Sequence, residues 1–271
     1  MATDTVKNRN IISFVLMALL VQLLSVTASV HAQTINEAHY SKPVTRYGHF
    51  ALGRPHEYAQ LNIVTDNKQR HVLVLPEGEV FEDLSPRLVH LAASQDPALL
   101  TIISNRNSGA RLALVRLIDN ELLISSQSPP IGTPMRWLNP VGVADLDGDG
   151  QAEVAAVITP HIGGRLKVYK ERGDELVEVA ALAGFSNHVY HSDVLSLSVA
   201  MPVGGKMRLL VPDFTRRFLR IIALRDGALV EVGRCPFSEP ISGALMRISD
   251  SKVSVNSSEG KQTLSPLDCV H

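Results

Sequence analysis

The sequence has little of what a nucleic-acid-binding or sugar-stacking protein needs. Aromatic residues make up only 5% of the 271 residues, which argues against rows of stacked rings for single strands or long sugar polymers. Lys and Arg total 26 against 27 Asp and Glu, a formal net charge of −1. Such a balance argues against a polyanion-binding surface. We therefore expect no nucleic-acid partner.

Cysteine is nearly absent, since only Cys235 and Cys269 occur. Neither has histidines at metal-ligand spacing, so a zinc site is not expected. In an exported chain, an even pair placed this late is typical of one disulfide that fastens the C-terminal region. The sequence therefore predicts a Cys235–Cys269 disulfide.

Sequence motifs of common enzyme classes are also missing. The chain has no Gly-x-Ser-x-Gly, no His-Glu-x-x-His, no phosphate-binding loop and no dinucleotide glycine motif. A catalytic triad forms only in space, so this absence is weak evidence against an enzyme.

Residues 1–32 predict a secretory signal peptide. Lys7 and Arg9 precede an apolar run over 11–26, and Val30 and Ala32 supply small residues before a cleavage point at Gln33. The run is short for a membrane span, and an uncleaved anchor is the alternative. We expect an exported protein, periplasmic or extracellular, with a single domain at 33–271 and no membrane span after cleavage.

A repeated hairpin pattern indicates the architecture. Two alternating strands around a short polar turn recur at 71–84, 112–124, 166–179 and 219–232. Copies about 40–54 residues apart are typical of four-stranded propeller blades. The predicted fold class is all-β, a β-propeller of five blades that are four-stranded antiparallel sheets. The last copy, 243–267, has about three strands instead of four. Residues 34–44 are therefore expected to pair with it as the missing strand and close the ring.

An acidic loop carries the most specific local signal. Its carboxylates are Asp145, Asp147, Asp149 and Glu153, and two glycines between them supply the positive φ angles of a tight turn. Several hard oxygens converging in one turn favour Ca²⁺ over zinc or copper. The backbone carbonyl of Gln151 is expected as a further ligand.

The residues after the loop distinguish it from an EF-hand. An EF-hand places Glu at position twelve and continues as a helix, whereas here that position is Ala156 and the continuation is rich in β-branched residues. The segment 143–154 closely resembles the calcium loop of FG-GAP/VCBS repeats, as in the propellers of integrin α-chains. Literal Phe-Gly and Gly-Ala-Pro signatures are missing. The resemblance covers one loop with its flanking strands and implies a β-propeller with a calcium loop.

A polar pair recurs where the innermost strand of each blade is expected to begin. The four pairs are Arg46 with His49, Arg87 with His90, Arg136 with Asn139, and His188 with His191. Inner strands surround the channel of a propeller, so the pairs are predicted to form a ligand-binding ring at its mouth. Arginine suits carboxylate or phosphate because its planar fork donates two hydrogen bonds. Two alternatives are bonds to loop carbonyls between blades and transition-metal binding by the histidines.

Polar residues in the loops after the second strands are expected on the same face. They are Asp66, Asn67, Asn105, Asn107, His161 and Asp213. We expect a non-catalytic binding or interaction module, with a protein or an anionic small-molecule or glycan ligand. Two alternatives remain: a hydrolase or lyase acting on an anionic sugar or phosphoester at the channel mouth, and a structural part of the cell envelope.

Overall fold

The computed structural model describes residues 33–92 and 96–270, so the predicted signal peptide lies outside the described residues. The described ranges contain nineteen strands, no α-helix and one 3₁₀ turn at Pro266–Cys269. The prediction of an all-β fold is confirmed.

The strands follow one another in antiparallel groups. The first group is β1 (Ile35–Val44), β2 (Glu57–Thr65), β3 (Arg70–Val74) and the short β4 (Glu79–Phe81). The second is β5 (Arg87–Val89), β6 (Ala98–Asn105), β7 (Gly109–Ile118) and β8 (Glu121–Gln127). The third is β9 (Leu138–Ala144), β10 (Glu153–Ile158), β11 (Gly164–Arg172) and β12 (Glu175–Phe185).

Two further groups complete the described chain. The fourth is β13 (Val199–Val203), β14 (Lys206–Pro212), β15 (Phe218–Arg225) and β16 (Ala228–Pro236). The fifth is β17 (Met246–Arg247), β18 (Val253–Ser257) and β19 (Gly260–Leu264). Within the second to fifth groups, each strand pairs with its neighbour in sequence.

Hydrogen bonds join the first three groups into one open twelve-stranded sheet. Its main path of ten strands ends at β1 and β9, while β3 pairs only with β2 and β5 only with β6. Strand β4 connects the first two groups, because Phe81 pairs with Tyr58 of β2 and Glu79 pairs with Asn105 of β6. A single parallel pair, Glu175 with Gln127, joins β12 to β8. The fourth and fifth groups are separate sheets.

Burial follows the sequence pattern of each strand. Strand β2 alternates buried and half-buried residues, so only one of its faces packs in the core. Strand β10, which follows the acidic loop, is buried at every position and packs on both faces. One core cluster places Trp137 with Leu100, Leu112 and Ala156 from three different strands, and this cluster lies beneath the cleft described below.

Three of the four predicted hairpins are confirmed, and the first is wrong. Strands β7 and β8, β11 and β12, and β15 and β16 pair as expected. The first hairpin does not form, because β3 pairs with β2 while β4 pairs with β2 and β6. Arg111 of β7 explains the difference, since it donates to both carboxylate oxygens of Glu79 at 2.8 and 3.0 Å and fastens β4 to the second group.

The predicted closure by residues 34–44 is also wrong. Strand β1 pairs with β2, for example Tyr40 with Leu61, and not with the fifth group. The ring of Tyr40 is buried, stacks on Phe81 with centroids 4.9 Å apart, and donates its hydroxyl to Asp83. These contacts favour the first group because the fifth group offers β1 no comparable aromatic partner.

The predicted disulfide is confirmed. Cys235 and Cys269 are bonded with their Cα atoms 5.3 Å apart, and no free cysteine occurs in the described residues. Closing a loop of 34 residues contributes about 3–4 kcal/mol in the chain-entropy model. Such a bond is consistent with an oxidising compartment. Within 33–92 and 96–270, no helix has the length and apolar character that crossing a membrane requires.

Candidate functional site

The acidic loop between β9 and β10 folds back on its own carboxylates. Gly148 and Gly150 both have φ near 85°, a conformation that other residues rarely adopt. Their amides donate to the two oxygens of Asp145 at 2.7 and 3.0 Å. The amide of Gln151 donates to Asp149 at 2.8 Å. The turn therefore holds its acidic side chains on one side.

Four carboxylates meet in this loop. One oxygen each from Asp145, Asp147 and Asp149 lies within 4.8 Å of the others, the one such cluster among the described residues. Glu153 is fully buried at the start of β10, and its Oε2 accepts the Leu146 amide at 2.7 Å. Burial is the main reason that the pKa of Glu153 is raised. The amide hydrogen bond and Lys170 oppose this shift only in part.

Lys170 of β11 neutralises part of this charge. Its Nζ lies 2.8 Å from Asp147, 2.5 Å from Asp149 and 3.1 Å from Glu153. Partial burial lowers the pKa of Lys170, but the three carboxylates outweigh that effect and the pKa is raised. The sequence analysis missed this lysine because its strand pairing, not its spacing, brings it to the loop.

The donor set fits a hard cation. Every side chain offered by the loop is a carboxylate, which suits Ca²⁺ or Mg²⁺ and not a soft metal. Oε1 of Glu153 is buried without any hydrogen bond, because Lys170 approaches it outside hydrogen-bond geometry. A metal ion bound here would give that oxygen a partner and would displace the Lys170 ammonium.

The predicted ring of polar pairs is only partly assembled. The Arg46 guanidinium donates to Glu77 at 2.9 Å and to the carbonyls of Pro76 and Glu79. Arg87 forms a two-point ion pair with buried Asp83 at 2.7 and 3.1 Å. Arg46 therefore fastens the β1–β2 loop to the turn between β3 and β4 within the first group, and Arg87 fastens β5 to the segment after β4. Both arginines are used in structural bonds, and Arg46 does bond to loop carbonyls as the alternative expected.

The other members of the predicted ring lie in three different environments. His90 is exposed. Asn139 is buried and donates to the carbonyls of Asn187 and Leu195. Arg136 and His49 line one cleft. His188 is buried and bonds to His161 of the lining, and His191 stacks on Tyr190 at the edge of the cleft. The pairs at 46–49 and 188–191 also lie in loops, not at strand starts as expected.

The cleft has a volume of about 380 Å³. It is lined by His49, Met135, Arg136, Trp137, Thr159, His161, Ile162 and Tyr190. Tyr190 is 47% exposed and Ile162 is 59% exposed, so apolar side chains form an open rim around a polar interior. None of the lining residues is acidic.

A buried carboxylate supports His49 from behind the cleft. His49 Nδ1 lies 2.7 Å from Oε1 of Glu82, which is 1% exposed. The Ser104 hydroxyl donates to the other Glu82 oxygen at 2.5 Å. Burial raises the pKa of Glu82, while the hydrogen bond from His49 opposes this effect. The His49 ring is thereby oriented, and its Nε2 makes no hydrogen bond with the described residues and is not buried.

His161 and His188 form a pair of neutral imidazoles. His188 Nε2 lies 3.0 Å from the Ser192 carbonyl, which only accepts, so Nε2 carries the proton. His188 Nδ1 is then an acceptor, and His161 Nε2 donates to it at 2.8 Å. This chain of bonds leaves His161 Nδ1 as an unprotonated acceptor.

Burial is the main reason that both pKa values in this pair are low. Burial and then the proximity of His188 lower the pKa of His161 to about 3. Burial also lowers the pKa of His188 to about 4, together with the charge of Arg216 and against the Ser192 hydrogen bond. The pair therefore stays uncharged at neutral pH.

Backbone strain concentrates around the cleft. Met135 and Thr159, which line it, have φ of 53° and 51°, and His191 on its rim has φ of 65°. Positive φ is a genuine outlier for a β-branched residue such as Thr159, and such strain clusters at functional sites. Gly53 is required nearby, because a Cβ there would lie 2.3 Å from the His191 carbonyl oxygen.

Of the loop residues expected on this face, His161 alone reaches the cleft lining. The carboxylate of Asp66 accepts the Thr34 hydroxyl and the Asn67 amide, and Asp213 accepts the Thr215 hydroxyl. The sequence analysis missed Glu82, Trp137 and Tyr190. One signal was available. Trp137 is the single tryptophan of the chain and lies between Arg136 and Asn139, which form one of the four predicted polar pairs.

Comparison with protein-family models and with curated proteins finds no match to this chain.

Proposed function

We propose that the protein is an exported, non-catalytic binding module built on a five-bladed β-propeller that calcium stabilises. The cleft lined by His49, Arg136, His161 and Tyr190 is its ligand site. The predicted signal peptide and the disulfide support export to the periplasm or the extracellular space.

The order of the strands supports the propeller. The fourth group is a four-stranded antiparallel sheet whose strands follow the chain order, as in a propeller blade. The third group has the same four-stranded antiparallel order within the twelve-stranded sheet. The second group follows the same order, and the fifth contains three strands. Hydrogen bonds need not join blades, so separate sheets are compatible with this arrangement.

Calcium is the cofactor that the acidic loop fits best. Asp145, Asp147, Asp149 and Glu153 would supply carboxylate oxygens, and Gln151 would supply its carbonyl. The loop joins β9 to β10 within one group, so a bound ion would hold these two strands in register. The resemblance of residues 143–154 to FG-GAP/VCBS loops supports the same role.

The observation that carries the binding function is the cleft itself. It combines one arginine that has no acidic partner within 33–92 and 96–270, two oriented imidazole rings and an exposed aromatic side chain. Strained loops from separate groups of strands hold these residues. A binding site is typically a concave, largely apolar pocket with a few placed polar groups.

The test uses mature protein and small-molecule extracts from the source envelope and its medium. A fraction that contains the ligand should raise the melting temperature of the wild type. It should raise that of Tyr190→Ala less, because this variant removes an exposed wall of the cleft. Glu37→Ala, an exposed change on β1, is the matched control. Identical shifts in all three proteins would contradict binding in the cleft.

The His49–Glu82 pair favours a second candidate function, a hydrolase or lyase acting on an anionic sugar or phosphoester. A carboxylate that orients a histidine is a common arrangement for a general base. In that case His49→Gln should abolish turnover of a substrate that the variant still binds. Unchanged turnover in His49→Gln would exclude this role.

A further inference from the structure

We infer that the ligand of the cleft carries a single carboxylate attached to a planar ring. This inference rests on the proposed binding function and specifies the chemical class of the ligand. Three features carry it: the charge balance of the lining, the geometry of its rings, and the free acceptor atoms of its histidines.

The charge balance points to a ligand with one negative charge. Arg136 is the one fully charged side chain in the lining. Within the described residues, its guanidinium bonds only to the neighbouring Met135 carbonyl, so its fork remains available. His161 is held as a neutral ring by its bond to His188. A carboxylate therefore matches the cleft in both charge and planar two-point geometry.

Two buried acids behind the wall argue against a phosphate dianion. Glu82 lies behind His49, and Glu57 accepts the amides of His49 and Phe50 at 3.1 and 3.3 Å. Both are almost fully buried. A second negative charge on the ligand would approach these carboxylates, and Arg136 is the one arginine in the lining that could pair with it. Buried charges are weakly screened.

The rings of the cleft favour a flat apolar body. Trp137 and His161 stack with their planes only 6° apart, and Tyr190 meets His161 edge-on with centroids 5.1 Å apart. The exposed Tyr190 ring of this corner offers a planar ligand an aromatic contact beside the Trp137–His161 stack. The exposed Ile162 completes an apolar rim beside it. A highly hydroxylated sugar would leave these apolar surfaces poorly matched.

The histidine acceptors add a specificity element. His161 Nδ1 is unprotonated, and His49 Nε2 makes no hydrogen bond with the described residues. His161 Nδ1 can accept from a hydroxyl or an N–H on the ring of the ligand, and His49 Nε2 can share a hydrogen bond with a hydroxyl. We therefore expect a hydroxylated or aminated aromatic carboxylate to bind more tightly than the plain ring.

Trp137 makes the test direct, because it is the only tryptophan in the chain and lines the cleft. Its fluorescence is titrated with benzoate, with benzamide, with cyclohexanecarboxylate and with inorganic phosphate. Benzoate should bind with a Kd of about 1 mM, reasonable for so small a ligand. The other three should bind about tenfold more weakly. Hydroxybenzoates should bind more tightly than benzoate.

Two variants connect the signal to Arg136. Arg136→Met should weaken benzoate binding about tenfold, as expected for a lost charge-assisted hydrogen bond. Arg136→Lys should weaken it less, because the charge remains but the fork is lost. Arg70→Met, at an exposed position of β3, should bind like the wild type. Melting temperatures confirm that each variant is folded.

Several results would overturn the inference while leaving the proposed function open. Phosphate or benzamide binding as tightly as benzoate would exclude the charge argument. Equal binding of cyclohexanecarboxylate would exclude the planar ring. No binding of any of the four compounds, by Trp137 emission and by calorimetric titration, would exclude this ligand class. The extract experiment would still show independently whether the cleft binds another ligand.

Discussion

The acidic loop and the histidine cleft balance charge in opposite ways. The loop gathers four carboxylates and one lysine at a largely exposed turn. The cleft keeps the imidazoles of His161 and His188 uncharged, has no acid in its lining and places Glu82 behind it. The comparison teaches that the loop should respond to cations, whereas the cleft should respond to protons. Each prediction below tests one side of this difference.

The largest effect should come from acid acting on the His161–His188 pair. Their pKa values of about 3 and about 4 lie below the usual value of 6.5. Between the folded-state pKa values and 6.5, these two histidines bind more protons in the unfolded state than in the folded state. The free energy of unfolding therefore decreases as the pH falls through this range. Each histidine should lower it by about 2 kcal/mol between about pH 7 and pH 5. Urea unfolding across this range measures the change.

Two variants refine the pH experiment. His161→Phe keeps a ring against Trp137 and should remove about half of the acid-induced loss. His90→Gln changes an exposed histidine and should retain the full loss. A wild-type free energy of unfolding that stays constant from pH 7 to pH 5 would contradict the neutral pair.

The next effect compares two arginines that the sequence analysis treated alike. Arg87→Ala leaves the buried Asp83 carboxylate without its ion pair, so it should lower the free energy of unfolding by about 3 kcal/mol. Arg136→Ala removes no ion pair and should stay within about 0.5 kcal/mol of the wild type. Urea unfolding of both variants tests this, and equal losses would refute the distinction.

Calcium should stabilise the loop and not the cleft. We expect a Kd in the range of extracellular modules, about 10⁻⁵–10⁻³ M. At a hundredfold excess over the Kd, binding should add about 2.7 kcal/mol to the free energy of unfolding. Asp147→Ala should abolish this gain, and Glu37→Ala should retain it. Identical melting curves with calcium and with chelator would count against a calcium site.

The smallest effect concerns Lys170, which a bound cation must displace. Lys170→Met should strengthen calcium binding about fivefold and lower calcium-free stability by about 1 kcal/mol, as expected for partly exposed ion pairs. Lys167→Met on the same strand removes a pair with Glu178 and should leave calcium affinity unchanged. Calorimetric titration measures both, and weaker calcium binding by Lys170→Met would contradict the competition.

Local sequence patterns predicted the all-β class, three hairpins and the position of the acidic loop. Residues such as Asp119, Asn120 and Gly227 have the positive φ angles that hairpin turns need, so turn chemistry was readable from neighbouring residues. The acidic loop from Asp145 to Glu153 was predictable for the same reason, because its residues are neighbours in the sequence.

Contacts between distant residues were not predictable in this way. The Glu79–Arg111 ion pair decides the placement of β4, and the His49–Glu82 hydrogen bond shapes the cleft. Each joins residues more than thirty positions apart. A recurrent Arg-x-x-His spacing could not distinguish Arg87, which is fixed by Asp83, from Arg136, whose guanidinium has no acidic partner among the described residues.

The Cys235–Cys269 disulfide also determines how the molecule would carry a mechanical load. The bond spans 34 residues and encloses the whole sheet β17–β19. Tension applied through the flanking chain would cross the sulfur–sulfur bond and bypass that sheet. After reduction the sheet would carry the tension, and its unravelling would release about 110 Å of chain at about 3.3 Å per residue. A single-molecule pulling experiment would read this difference in contour length between oxidised and reduced protein.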